Sequence, residues 1–245
     1  MNQSKNILRI GICSLLLLGL AACQQNTAPT GSDNNNQTQT SPSKESNPWK
    51  ASYSNLNNQV SSEEVKSLLS AHLDPNSVDA FFNLVNDYNT TVESTGLSGD
   101  FSSFSKTEYD VEKISNLWKQ KKGDFVGTNC RINSYCLLKH SITIPKLEKN
   151  DDLLFLDNDA IDKGQVFDSK DKEEFDVLFS RVKTEATTDV KVHAEKMEKF
   201  FSQFQFNDKA RMLSVVLHDN LDGEYLFVGH VGVLVPADDG FLFVE

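Results

Sequence analysis

From about Ser61 the apolar positions recur at helical spacing. Val65, Leu68, Leu69 and His72 share one face, and Ser61 with Glu64 has the spacing of a capping box. Asp74-Pro75 ends that helix and starts a second, whose face is Val78, Phe81, Phe82, Val85 and Tyr88. A loop around Gly96–Asp100 leads to a third helix from Thr107 to Lys122, carrying Ile114, Leu117 and Trp118 and closed by Gly123. Gly127-Thr128-Asn129 introduces a fourth, from Cys130 to Lys139, and two more helical stretches cover 171–182 and 189–204. After Asn207 the period changes to two. Met212–His218, Tyr225–Val235 and Phe241–Glu245 read as strands separated by the turn residues Asn220–Gly223 and Ala237–Gly240. Helices first and an antiparallel β-meander last predict an α+β fold.

Ahead of this pattern lies a different grammar. Lys5 and Arg9 form a short basic region, followed by an apolar stretch from Ile10 to Leu20 that is too short to span a bilayer as a permanent helix. It ends in Leu20-Ala21-Ala22-Cys23, which resembles a bacterial lipobox. That resemblance implies a lipoprotein signal peptide over 1–22, cut before Cys23, whose thiol carries the lipid. Residues 24–50 are rich in Asn, Gln, Thr, Ser and Pro and offer almost nothing to a core, so 23–50 read as a lipidated cysteine and a polar tether. The expected organisation is one α+β domain over 51–245. The chain stops on Glu245 within a strand, so the domain is expected to continue in the intact protein. A lipid anchor places it on the outer face of the bacterial cytoplasmic membrane, with a Gram-positive envelope favoured.

Composition narrows the partners. The chain has 24 Lys+Arg against 35 Asp+Glu, a net charge of −11. Removing 1–22 takes away Lys5 and Arg9 and no acid, leaving 22 basic side chains against 35 acidic and a net charge of −13. A nucleic-acid binder needs the opposite sign, so no nucleic acid is expected. Four cysteines, unevenly spread, do not make a disulfide scaffold. Cys13 falls in the leader. Cys130 and Cys136 are six helical residues apart, about 9 Å between Cα atoms, beyond disulfide reach.

One constellation carries chemistry. Cys130 stands where the loop Gly123–Asn129 meets a helix start, and amides there stabilise a thiolate or an oxyanion. His230 lies mid-strand between Gly229 and Gly232, glycines expected to clear space for whatever docks on the imidazole. An even loop centred on Ala237-Asp238 would pair His230 with Glu245, Gly232 with Phe243 and Leu234 with Phe241, putting the Glu245 carboxylate beside the imidazole. Asn129 or Asn133 would supply a further oxyanion donor and Arg131 would meet a substrate carboxylate. The alternative uses are ordinary ones: Cys130 as a small buried residue, His230 as a core histidine, Asn129, Arg131 and Asn133 as cap or surface residues.

Cysteine at a helix start, then histidine and an acceptor on successive strands, is the order of papain-like folds. The runs TNCRINSYCLL, FVGHVGVLV and GFLFVE resemble NlpC-type cell-wall peptidases and transglutaminase-like thiol enzymes. More closely, the lipobox, tether, Asn-Cys-Arg motif and glycine-flanked histidine resemble an uncharacterised family of Gram-positive surface lipoproteins, a domain of unknown function, from about residue 55 onward. The resemblance implies Cys130 as nucleophile, His230 as base and Glu245 as orienting group. It departs from the NlpC pattern at Asn129-Cys130-Arg131-Ile132, where Asp-Cys-Ser-Gly is usual. The expected function is a membrane-anchored thiol hydrolase or acyl-transferase acting on amide bonds of peptides or cell-wall peptides. The alternative is a non-catalytic domain binding an envelope component or partner protein.

No cofactor is called for. His72, His140 and His193 read as structural or solvated, and no Cys/His pair has zinc-ligand spacing. Asp157 to Asp168 fits the calcium-loop template poorly, with Asp162 at the glycine position and Asp168 at the glutamate position, and reads as a solvated acidic loop.

Overall fold

The computed structural model describes residues 7–11, 50–103, 108–221, 223–238 and 240–245, with side chains from Ala51 onward. Cys23, the cleavage point and almost all of the tether lie outside the described residues. In chain order the strands and helices are β1 (Ile7–Gly11), β2 (Lys50–Ser54), α1 (Gln59–Ser70), α2 (Pro75–Thr91), β3 (Ser102–Ser103) and α3 (Val111–Lys122). There follow α4 (Cys130–Leu138), β4 (Ile142–Thr143), α5 (Phe155–Gly164), α6 (Ser169–Leu178), β5 (Val182–Lys183) and α7 (Val190–Phe201). The chain closes with β6 (Gln205–Phe206), β7 (Arg211–Asp219), β8 (Tyr225–Ala237) and β9 (Gly240–Val244). The fold is α+β, with most of the helix ahead of the main strands.

Local chemistry explains most helix starts. The Asp74 carboxylate accepts from the Ser77 amide ahead of Pro75, and Asp110 accepts from Lys113 in the same way. The first helix starts earlier than the Ser61–Glu64 spacing suggests. Asn58 is its cap, its Oδ1 accepting from the Ser61 amide, while Ser61 is buried inside the helix and donates to the Gly99 carbonyl.

The largest difference between sequence and structure in this region is α5. Its sequence, Phe-Leu-Asp-Asn-Asp-Ala-Ile-Asp-Lys-Gly, reads as a polar loop, yet it is a helix that buries Asp157, Ala160 and Ile161. The acids are distributed around the helix, so only Asp157 enters the core, and it does so on a partner described below.

The core lies between α2, α4 and the main sheet. Phe81, Val85, Ile132 and Tyr135 from the helices meet Val228, Val231, Val233 and Val235 from β8, all buried. Every residue of α4 from Ile132 to Leu138 is buried, because α2 packs on one side of it and β8 on another. Removing such a side chain from water stabilises the fold by about 1.5–3 kcal/mol.

The main sheet runs β3-β2-β1-β9-β8-β5, with β7 also paired to β8. The last three long strands are antiparallel neighbours, whereas β1 lies between β2 and β9 and is parallel to both. The pairing of β7 with β8 carries a bulge. Val215 opposes His230 and Val216 opposes Val228, leaving Gly229 as the extra residue. Among the described residues no helix is long and apolar enough to cross a membrane.

Candidate active site

Strand β8 pairs with β5 at Leu226 and Tyr225 and with β9 from Val233 onward. Between those stretches the edge away from β7 is met by the first turns of α4. Arg131 Nη1 donates to the Val228 carbonyl at 2.9 Å, and Ser134 Oγ donates to the Val231 carbonyl at 3.3 Å. The Val231 amide faces the Cys130 thiol. A helix start therefore stands in for a missing ladder partner, and this sets Cys130 against the strand that carries His230.

Two opposed influences act on Cys130. Burial pushes its thiol above the ordinary range and the Glu245 carboxylate adds to that, while the Val231 amide, the Arg131 charge and the Arg131 amide work against both. Burial wins. The lowered thiolate expected from a helix start alone is not what the surroundings give, because the helix amides act on a sulfur removed from water. Cys136 is buried more deeply, and desolvation pushes it up to about 11. Both cysteines are free thiols.

His230 and Glu245 meet. Imidazole Nε2 lies 2.5 Å from Glu245 Oε2, with the histidine side chain about half exposed at 47%. The hairpin that brings them together is offset by two residues from the expected register. Ala237 pairs with Gly240, so Phe243 opposes Leu234 and Val244 opposes Val233. The parity is unchanged, Glu245 stays on the face of His230, and the contact is made diagonally across the strands. No hydrogen bond joins His230 to Cys130 among the described residues. What lies between them is the Val231 amide on one side and the Glu245 carboxylate, which acts on both.

The glycines beside His230 serve the sheet itself. A Cβ on Gly229 would lie 2.4 Å from Leu217 Cδ1, and one on Gly232 would lie 2.2 Å from Phe243 Cζ and 2.7 Å from the Val244 carbonyl. Leu217 and Phe243 thus occupy the space expected to be open to a ligand. On the same face β7 presents Leu213, Val215 and Leu217, all exposed.

The other candidate residues are placed as follows. Asn129 caps α4, its Oδ1 accepting from the Arg131 and Ile132 amides, and its Nδ2 donates to Asp157 Oδ1 at 2.7 Å. Arg131 forks onto Asp157, Nε to Oδ1 at 2.9 Å and Nη2 to Oδ2 at 2.7 Å. Asp157 is fully buried. Asn133 is buried, with its Oδ1 unpartnered, and lines a cavity of about 520 Å³ with Trp118, Thr128 and Phe125, away from the His230 pair. Asp157 is the residue that sequence reasoning missed. The one available signal was the isolated apolar spacing of Leu156, Ala160 and Ile161 within an acidic run.

Three of the remaining four histidines are tied into the fold or its surface by their side chains. His140 Nδ1 is 3.0 Å from Ser77 Oγ, His193 bridges Thr184 and the Thr187 carbonyl, and His218 pairs with Glu224. Among the described residues no group of three or more His, Cys, Asp and Glu side chains is placed to hold a metal ion.

The sequence pattern of DUF4300, a domain of unknown function, matches residues 52–245, and the chain belongs to that family. No curated protein and no solved structure gives a match.

Proposed function

We propose that the domain is a papain-like thiol hydrolase or acyl-transferase acting on amide bonds of peptides or wall peptides. In this reading it is held through Cys23 to the outer face of a bacterial membrane. The observation that supports it is the His230–Glu245 hydrogen bond formed one residue from the amide that faces Cys130.

Glu245 fixes the imidazole through Nε2, leaving Nδ1 as the base. The thiol proton passes to Nδ1 and the thiolate attacks the carbonyl carbon. The Val231 amide serves the oxyanion, the Arg131 amide being held by the Asn129 cap, and His230 returns the proton to the leaving amine. The acyl-enzyme is then released by water, or by an amine in a transfer reaction. A short approach of imidazole to thiol is needed for the first step, and such contacts commonly tighten only when substrate binds.

The test is the rate of iodoacetamide alkylation against pH, with Cys13→Ala, Cys23→Ala and Cys136→Ala in every sample so that Cys130 alone reports. Burial by itself delays alkylation to above the ordinary thiol range. A rate at pH 7 that falls about tenfold or more in His230→Ala marks a base acting on Cys130. A Cys130 indifferent to His230 overturns the reading.

A second reading has its own support. The raised Cys130 thiol, together with the exposed Leu213, Val215 and Leu217 on the His230 face, suits a non-catalytic surface domain that binds a partner. The same alkylation experiment separates the two.

A further inference from the structure

Strands β2 and β9 do not pair with each other. They are held one strand-width apart on either side of Ile7–Gly11, about 10 Å between them. Ile7 is in register with Lys50 and Gly240, and Gly11 with Ser54 and Val244, so the middle strand is paired along its whole length on both edges.

Each wall is anchored independently of that strand. β9 is laddered to β8 from Ala237–Gly240 to Val233–Val244. Beyond β2, Ser54 Oγ donates to the Gly99 carbonyl at 2.7 Å, the Asn55 amide donates to the Ser98 carbonyl at 2.9 Å, and Asn89 Nδ2 donates to the Asn55 carbonyl at 3.1 Å.

If cleavage precedes Cys23, Ile7–Gly11 is not part of the mature chain, and both walls present unsatisfied backbone groups across a gap that fits one extended strand. Such a gap is a site for strand addition. We propose that this slot binds an extended substrate peptide with apolar residues at alternating positions, and that Ile7–Gly11 occupies it in the uncleaved chain. The proposal rests on the lipobox and thiol-enzyme readings above.

Three observations specify the occupant. First, its second and fourth residues fall level with Ala51 and Phe241 and with Tyr53 and Phe243, rows that favour apolar side chains. Second, residues 24–49 of the tether contain Ala28 and Trp49 and otherwise polar or turn residues, a composition that cannot supply those rows. Third, a strand parallel to β9 runs N to C towards Val244, so its next residue stands level with Glu245. The occupant leaves the slot beside the His230–Glu245 pair, as a peptide substrate must if its scissile bond follows the bound segment.

The test uses a fluorescein-labelled heptapeptide of residues 6–12, Asn-Ile-Leu-Arg-Ile-Gly-Ile, and reads its anisotropy against two proteins. One is the full chain, and the other is the mature chain 23–245 carrying Cys23→Ser. Saturable binding to the mature chain, at least about tenfold weaker to the full chain, is expected. Methylating the amide nitrogen at the Arg9 position of the peptide removes one ladder hydrogen bond and should weaken binding about tenfold. A full chain with Arg9→Pro, whose own strand cannot pair on both sides, should bind like the mature chain, which keeps the test independent of the truncation. Absence of saturable binding to both freed proteins, or indifference to N-methylation, overturns the slot. Peptide binding with a Cys130 indifferent to His230 keeps the slot and removes the enzyme reading, whereas a His230-dependent Cys130 without peptide binding does the reverse.

Discussion

Arg131–Asp157 and His230–Glu245 flank Cys130, and each joins a basic side chain to a carboxylate within 3 Å. Their surroundings are opposite. Asp157 is fully buried and takes hydrogen bonds from Arg131 and Asn129, tying α5 to the start of α4, while Arg131 reaches on to β8. His230 is half exposed, and its pair joins adjacent strands already held by their backbone. A buried pair of this kind is a structural commitment, since each charge depends on the other for its solvation. The His230–Glu245 pair keeps its histidine half in water while Glu245 is mostly covered, so it is screened more than the buried pair and contributes less to folding.

Breaking each pair should display the difference. Asp157→Asn leaves Arg131 uncompensated in the interior and should cost about 3–5 kcal/mol, read as a lower denaturant midpoint. His230→Ala should cost less than about 1 kcal/mol in the same titration. Equal losses would show that the exposed pair is also structural.

Gly232→Ala is expected to fall between them. The added methyl meets the Phe243 ring and the Val244 carbonyl, which must shift, at about 1–3 kcal/mol. Because Glu245 follows Val244 directly, this variant should also alter the alkylation rate of Cys130, which a purely structural Glu245 would leave unchanged.

A further effect is a pH dependence. Cys136 is raised from 9.0 to about 11 in the fold, so between those values the folded state holds a proton that the unfolded state has lost. Stability therefore falls as pH rises through that window, by at most about 1.4 kcal/mol per pH unit. Cys136→Ala should flatten that slope, measured by unfolding at pH 8 and at pH 10.5. Cys130, shifted in the same direction, should leave a residual slope of the same sign.

Much of the frame was legible because its signals are local. Asn129 before Cys130, Pro75 after Asp74 and Gly123 after a basic turn each announce a boundary within a few residues. The run from Met212 onward, after the period changed to two, announced the meander. What was not legible depends on distance. Asp157 enters the core only because Arg131, far off in sequence, is waiting there, so an acidic run conceals a helix. The place of Ile7–Gly11 between two later strands is fixed by parallel pairing across most of the chain, and its apolar character reads equally well as a leader. In the site, the meeting of His230 and Glu245 follows from strand parity, but the two-residue offset is set by a turn whose Asp and Gly residues fit more than one loop. Whether a helix start lowers a thiol depends on burial, which spacing does not reveal.

The bulge at Gly229 has a consequence for the frame of the whole strand. Leu226 and Val228 face the helices before it, and Val231, Val233 and Val235 face them after it, three residues apart at the bulge instead of two. Had Gly229 taken a regular place in the ladder, strict alternation would turn the imidazole inward and Val231 outward. Gly229 thus acts as a phase shift. It lets one strand line the interior along its length while delivering a single polar side chain to the opposite surface, and deleting it would leave a regular ladder with the same residues facing in and out.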